Sequence, residues 1–156
     1  MQGRQKKASQ RLRMNKTTDK ASMMKKAGRM LDGGWHCSEA ILKAVGEQYF
    51  DLTPEMVRLA TPFAGGVGDT YGELCGAFTG GLMVIGGMYG RSENGVSDTR
   101  CQALARKWRE VFREEFRWMK CGDLRSNWVG KPGQESCSEL VGKAAGLLID
   151  LLSGNT

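Results

Sequence analysis

The chain contains no Cys-x-x-Cys pair, and that absence removes three kinds of local site. Zinc knuckles, thioredoxin-like dithiols and ferredoxin-like runs all need two cysteines that close in sequence. There is no Cys-x-x-Cys-His either, which excludes a covalently attached c-type haem. The glycine-rich stretch Gly65-Gly66-Val67-Gly68 follows no strand and precedes no Gly-Lys-Ser/Thr, so it is weak as a nucleotide cradle. Proline occurs only three times and β-branched residues are sparse. The long segments are instead rich in Ala, Leu, Met, Lys, Arg and Glu, which favour helix. The long uncharged segment from Leu74 to Gly90 falls short of a membrane span and carries six glycines, the mark of a tightly packed buried helix. No apolar run with a small-residue cleavage site follows the basic start, so the expected compartment is cytoplasmic. In such a reducing compartment, clustered cysteines point to metal or redox chemistry more often than to permanent disulfides.

What is present is a length of 156 residues, suited to one compact domain, and a formal charge of +6 that is unevenly spread. Residues 1–26 hold nine Lys or Arg against Asp19 alone, a local +8 that leaves the rest at −2. Residues 1–17 therefore read as a basic, solvated and partly disordered arm, and 18–156 as a helical four-cysteine domain. The arm has no aromatic residue to stack on a base, so contact with nucleic acid or an anionic membrane is not the expectation.

The patterning predicts an all-α, compact single-domain bundle of about six helices without significant sheet. They are expected over about Thr18–Leu31, Cys37–Phe50, a short one after Thr53-Pro54-Glu55, Tyr71–Tyr89, Ser97–Met119 and Cys137–Leu152. Thr53 caps, Pro54 fills the first helical position and Glu55 suits the dipole. A turn is expected at Cys121-Gly122-Asp123.

Two of these helices open alike, with Cys37-Ser38-Glu39 and Cys137-Ser138-Glu139. Ser136-x-x-Glu139 reads as a capping box, which puts Cys137 at the first helical position. In both helices the cysteine tops the apolar stripe, beside free backbone N–H groups and the positive dipole end. That position is expected to lower a thiol pKa and favour thiolate, the form that binds metals and attacks disulfides. Cys75 follows the glycine-rich loop and precedes Gly76, Gly80 and Gly81. Glycine in a helix costs roughly 1 kcal/mol each, so close approach of another helix or of a bulky inorganic group is expected there. The N–H groups of Gly65, Gly66 and Gly68 could be presented to sulfur or another anion. With the five cysteines at 37, 75, 101, 121 and 137, any site must be assembled from separate helices.

Cys37, the run Cys75-Gly76-Ala77-Phe78-Thr79-Gly80, Cys121 and Cys137 together resemble the redox-active proteins named for their motif, C_GCAxxG_C_C. The likeness runs from about Ala21 to Leu152. This chain has Cys75 before Gly76 where the name writes Gly before Cys. The resemblance implies a small helical prokaryotic protein whose four motif cysteines, here Cys37, Cys75, Cys121 and Cys137, form a redox or metal site. Some relatives are split-Soret cytochromes, whose helical body is thought to hold an iron–sulfur centre beside haems. Without the haem motif, only the cluster site would carry over.

Three readings stay open on the residues. Four thiolates could hold a [2Fe–2S] or [4Fe–4S] cluster used in electron transfer, with Gly65, Gly66, Gly68, Gly76 and Gly80 close by. The same cysteines could cycle between thiol and disulfide without metal, or hold a structural zinc. Either redox role implies a redox partner protein, and a glycine-lined helix could also pack against a second copy to form a homo-oligomer. Cys101 lies on an apolar stripe and reads as a core residue before an auxiliary thiol. His36, the single histidine, adjoins Cys37 and reads as a half-exposed loop residue before a substitute ligand or proton donor. No hydrolase or transferase site is evident.

Overall fold

The computed structural model describes residues 19–155; the expected arm at 1–17 lies outside them. The described chain is all-α. Helix α1 spans Lys20–Asp32, α2 Cys37–Ile41, α3 Pro54–Ala60, α4 Gly76–Tyr89, α5 Thr99–Phe116, α6 Cys121–Asn127 and α7 Cys137–Ser153. One π-helical turn, Leu42–Gly46, extends α2, and a 3-10 turn, Thr61–Phe63, extends α3. Among the described residues the only β pairings are two isolated bridges, Leu74 with Lys120 and Lys131 with Gln134. No described helix is long and apolar enough to cross a membrane.

The ends of the helices follow their local chemistry. Asp19 accepts from the Ala21 N–H, Thr53 from the Met56 N–H with Pro54 at the first position, and Ser136 from the Glu139 N–H. The last helix stops where Gly154 takes φ +75°, a left-handed conformation glycine adopts freely.

Helix α4 is the central element, with its first six residues, Gly76 to Gly81, and Val84 and Ile85 buried. It can be central because it has almost no side chain where others cross it. A Cβ on Gly80 would stand 2.7 Å from the Ser38 carbonyl oxygen of α2. One on Gly81 would stand 2.4 Å from Nε1 of Trp108 on α5. The backbone of α4 therefore lies directly on α2 and on the Trp108 ring, and the Trp108 indole donates to the Phe78 carbonyl at 3.0 Å. From there Trp108, Phe112 and Phe116, one turn apart along α5 and each fully buried, carry an aromatic chain from Phe78 to Trp128. Edge and tilted contacts of this kind add about 0.5–1.5 kcal/mol per pair beyond the area they bury. Helices α1 and α7 pack as closely: a Cβ on Gly142 would lie 2.9 Å from the Met24 carbonyl oxygen.

The second helix, expected to reach Phe50, passes into the π turn and ends at Gly46, and three other expectations shift for a physical reason. The fourth helix starts at Gly76 rather than Tyr71, because the Cys75 N–H is bonded across to Met119 and Tyr71 has φ +60°. The fifth runs over Thr99–Phe116 rather than Ser97–Met119, ending where Arg117 takes φ +66°. At Cys121-Gly122-Asp123 a seven-residue helix begins where a turn was expected. Seven residues interrupted by glycine are too few to show a helical period.

Candidate four-cysteine centre

Each of four cysteines stands where a helix begins. Cys37, Cys121 and Cys137 are the first residues of α2, α6 and α7, and Cys75 is the residue that caps the start of α4. All four line a single cavity of about 160 Å³, whose remaining walls include Leu31, Leu124, Leu140 and Val141. That volume is roughly the share of five liquid waters.

Short hydrogen-bonded links set the position of each entry. Two backbone bonds, Cys75 N–H to Met119 O at 2.8 Å and Cys121 N–H to Glu73 O at 2.9 Å, pair the residues leading into α4 and α6. A third, from the Gly122 N–H to Tyr71 O at 2.8 Å, extends the link. The Cys75 and Cys121 helices thus start side by side. Buried Glu39 holds the start of α2: its carboxylate accepts from the His36 N–H at 2.9 Å and from the Thr61 hydroxyl. Ser38 adds a bond to the Ala60 carbonyl at 2.7 Å. The start of α7 is held by its Ser136 cap and by a Ser138–Asp32 hydrogen bond to α1.

The glycines near the cysteines have distinct places. A Cβ on Gly76 would fall 2.2 Å from Cys37 Sγ, and one on Gly66 would fall 2.7 Å from Cys121 Cβ. Both glycines leave room for a sulfur-bearing side chain. Gly65 lines the cavity, whereas Gly68 has nothing within 4 Å of its Cβ direction and lies away from it. Gly80 serves the α2–α4 contact instead of the cavity. Residues 65–69 form an unbroken run of positive φ, including Val67 at +66° and Asp69 at +58°. Such a turn costs about 1–2 kcal/mol for each non-glycine residue, and strain of this kind collects at functional sites.

At Cys137 the expectation of a lowered thiol pKa is corrected, and the thiols of Cys75 and Cys121 shift upward as well. Burial pushes the Cys75 thiol far up, with Cys37 and Cys121 nearby adding to the rise, although the Ala77 and Phe78 N–H groups favour its thiolate. Cys121 is pushed up to about 11 by burial and by the neighbouring Cys37 and Cys137. Cys137 is also raised by burial, against the opposing pull of Arg125. At Cys75, Cys121 and Cys137, removal of sulfur from water outweighs the helix-start position, and neighbouring thiols add to the rise.

Three residues at the rim were not singled out from sequence: Asp69, Tyr71 and Arg125. Arg125 lines the cavity beside Cys137 and its charge opposes the rise of that thiol, and its guanidinium lies 4.5 Å from the centre of the Tyr71 ring. The available signal was spacing, since Arg125 follows Cys121 by four residues, one helical turn. His36 lines the cavity from its exposed position just before α2. Cys101 is not among the lining residues; it sits half-buried on α5 against the core. Among the described residues, no three His, Cys, Asp or Glu side chains are gathered tightly enough to bind a single metal ion as they stand.

No curated protein and no solved structure matches this chain. One family model does, over residues 35–151, a span that contains all four cavity cysteines. The chain belongs to that family, described as "Putative redox-active protein (C_GCAxxG_C_C)".

Proposed function

We propose that the protein is an electron carrier whose four-cysteine cavity holds an iron–sulfur cluster, [2Fe–2S] or [4Fe–4S], ligated by Cys37, Cys75, Cys121 and Cys137. One observation carries this reading: four thiols from four helix starts face one small, largely apolar cavity. A cluster supplies one-electron transfer without making or breaking covalent bonds in the substrate.

The chain's own residues fit that role. Four thiolates would bring four negative charges into a space walled by leucine and valine. Positive helix ends, and at Cys75 the Ala77 and Phe78 N–H groups, offset part of such charge. A single zinc ion fits less well. Zn–S bonds of about 2.3 Å would place tetrahedral sulfurs roughly 3.8 Å apart. The four side chains instead surround a void of about 160 Å³, and no three candidate ligands are gathered for one ion. A group with several irons and bridging sulfides spans more space.

The raised thiol pKa values also favour a bound inorganic group over a metal-free thiol relay. Burial keeps the Cys75, Cys121 and Cys137 thiols protonated to higher pH than an ordinary cysteine. Such a thiol is a slow nucleophile in disulfide exchange. Metal ions overcome the same barrier by displacing the protons. The electrons would pass to and from a redox partner protein.

The test is purification without oxygen, followed by the visible spectrum and measurement of iron, sulfide, zinc and free thiols. Broad charge-transfer absorption with stoichiometric iron and sulfide is expected. Zinc with a featureless spectrum would replace the proposal with a structural site. Metal-free protein whose thiols are lost on mild oxidation and return on reduction would replace it with a thiol/disulfide carrier.

A further inference from the structure

Among the lining residues of the cavity, Arg125 is the only Lys or Arg, and it reaches three elements at once. It rises from α6, one turn after Cys121; it lines the same cavity as Cys137 at the start of α7; and its guanidinium lies 4.5 Å from the ring centre of Tyr71 at the end of the strained loop. Asp69, on the same loop, is the only carboxylate lining the cavity. The arrangement brings one fixed positive charge to the sulfur cage and holds it there by a ring.

We propose that Arg125 is the charge-compensating residue of the four-cysteine centre: it stabilises the more negative, reduced state and so raises the centre's reduction potential. This rests on the reading that the four cysteines hold a cluster, whose reduction adds charge beside the guanidinium. In a one-electron couple, one electron from a one-electron donor adds one negative charge to the sulfur-ligated group, and no bond to the protein forms or breaks. In a thiol/disulfide couple, two electrons and two protons from a dithiol reductant cleave one S–S bond and leave two thiols. Two neutral thiols carry no new charge, so in that couple the guanidinium makes little difference. The Arg125 side chain is exposed, so solvent screens part of its effect.

Tyr71 is the positioning partner. It has φ +60°, and its carbonyl accepts the Gly122 N–H at 2.8 Å, so its backbone is tied to the same α6 that carries Arg125. Its ring holds the guanidinium against the mouth of the cavity; without it, Arg125 is free to swing into solvent.

The experiment compares the wild-type protein with Arg125→Met, Arg125→Lys and Tyr71→Leu. Reduction potentials are measured anaerobically, for the cluster couple by spectroscopic titration and for the metal-free protein by equilibration with a dithiol buffer. Arg125→Met is expected to shift the equilibrium at least threefold toward the oxidised state, about 28 mV in a one-electron couple at 59 mV per tenfold. Arg125→Lys should recover most of that shift, since it restores charge but not the planar stack. Tyr71→Leu should lose part of it while leaving the charge in the sequence. Raising salt from 0.1 M to 1 M shortens the screening length from about 10 Å to 3 Å and should shrink the gap between wild type and Arg125→Met. An Arg125→Met potential equal to wild type, or a shift that is unchanged by salt and not rescued by Lys, overturns the role of Arg125 while leaving the redox centre standing. A wild-type protein with no reversible cluster transition overturns both.

Discussion

Gly76→Ala separates the architecture of the centre from the stability of the fold. The added methyl would stand 2.2 Å from Cys37 Sγ, a distance no pair of unbonded atoms tolerates. Cys37 Sγ is the end of a side chain with one rotatable bond, so it can swing aside. Moving a side chain well off its rotamer costs about 0.5–1.5 kcal/mol. Two further neighbours are backbone atoms, Ser38 N at 3.1 Å and Phe63 O at 3.3 Å, which need to yield by only a few tenths of an ångström. Against these costs, alanine is favoured over glycine in a helix by up to about 1 kcal/mol, less at a first position. The net destabilisation is therefore about 1 kcal/mol, and the fold survives. The centre does not, because Cys37 is the group displaced. Urea unfolding followed by circular dichroism should show a small loss of stability. Anaerobic visible spectra should show the centre depleted, and mass spectrometry after brief alkylation should show Cys37 labelled much faster than in wild type. A variant with Cys37 still protected and a wild-type spectrum would refute the placement of Cys37 against Gly76.

Gly81→Ala should do the reverse and damage the fold: its methyl meets the Trp108 ring at 2.4 Å, and that ring is pinned by its bond to Phe78. Overpacking and loss of a buried hydrogen bond together cost about 2–5 kcal/mol, visible as a lower urea midpoint. Val67→Gly is expected to raise the midpoint slightly, because exposed Val67 holds φ +66°; relief of about 1–2 kcal/mol is offset by the larger entropy of glycine in the unfolded chain. In reduced, metal-free protein, Cys75, Cys121 and Cys137 keep their protons to higher pH than in the unfolded chain. The folded state then binds more protons than the unfolded one above about pH 9, so stability should fall as pH rises from there towards the Cys121 value of about 11. Stability that is flat or rising across that window, measured by urea unfolding under reductant, would contradict the burial of these thiols.

The helical class was legible because the chain lacks strand-forming stretches and its apolar positions recur at helical spacing, as along α5 at Leu104, Trp108 and Phe112. The capping signals at Thr53-Pro54 and Ser136-x-x-Glu139 marked where α3 and α7 begin. Those starts could be read because capping is a contact between residues close in sequence. What could not be read depends on contacts between distant segments. The pairing of residues 71–75 with 119–122 pulls Tyr71 to Leu74 out of a helix they would otherwise extend. Cys121 then begins a short helix in place of the expected turn. The electrostatics failed for a related reason: helix position argued for thiolate, but burial depends on how many segments close over the sulfur. Arg125 was one turn from a candidate cysteine, yet its approach to Cys137 and Tyr71 required the fold itself. The glycine requirement at 80 and 81 was legible as close packing, whereas the occupants of that space, Ser38 and Trp108, were not.

The most direct test replaces each cysteine singly with serine, all five in parallel, and measures iron, sulfide and the reversible redox signal of protein prepared without oxygen. The account predicts that Cys37→Ser, Cys75→Ser, Cys121→Ser and Cys137→Ser each lose or sharply alter that signal, while Cys101→Ser, away from the cavity on α5, keeps it. A full signal in any of the first four, or its loss on replacing Cys101, would contradict the convergence of these sulfurs on one centre.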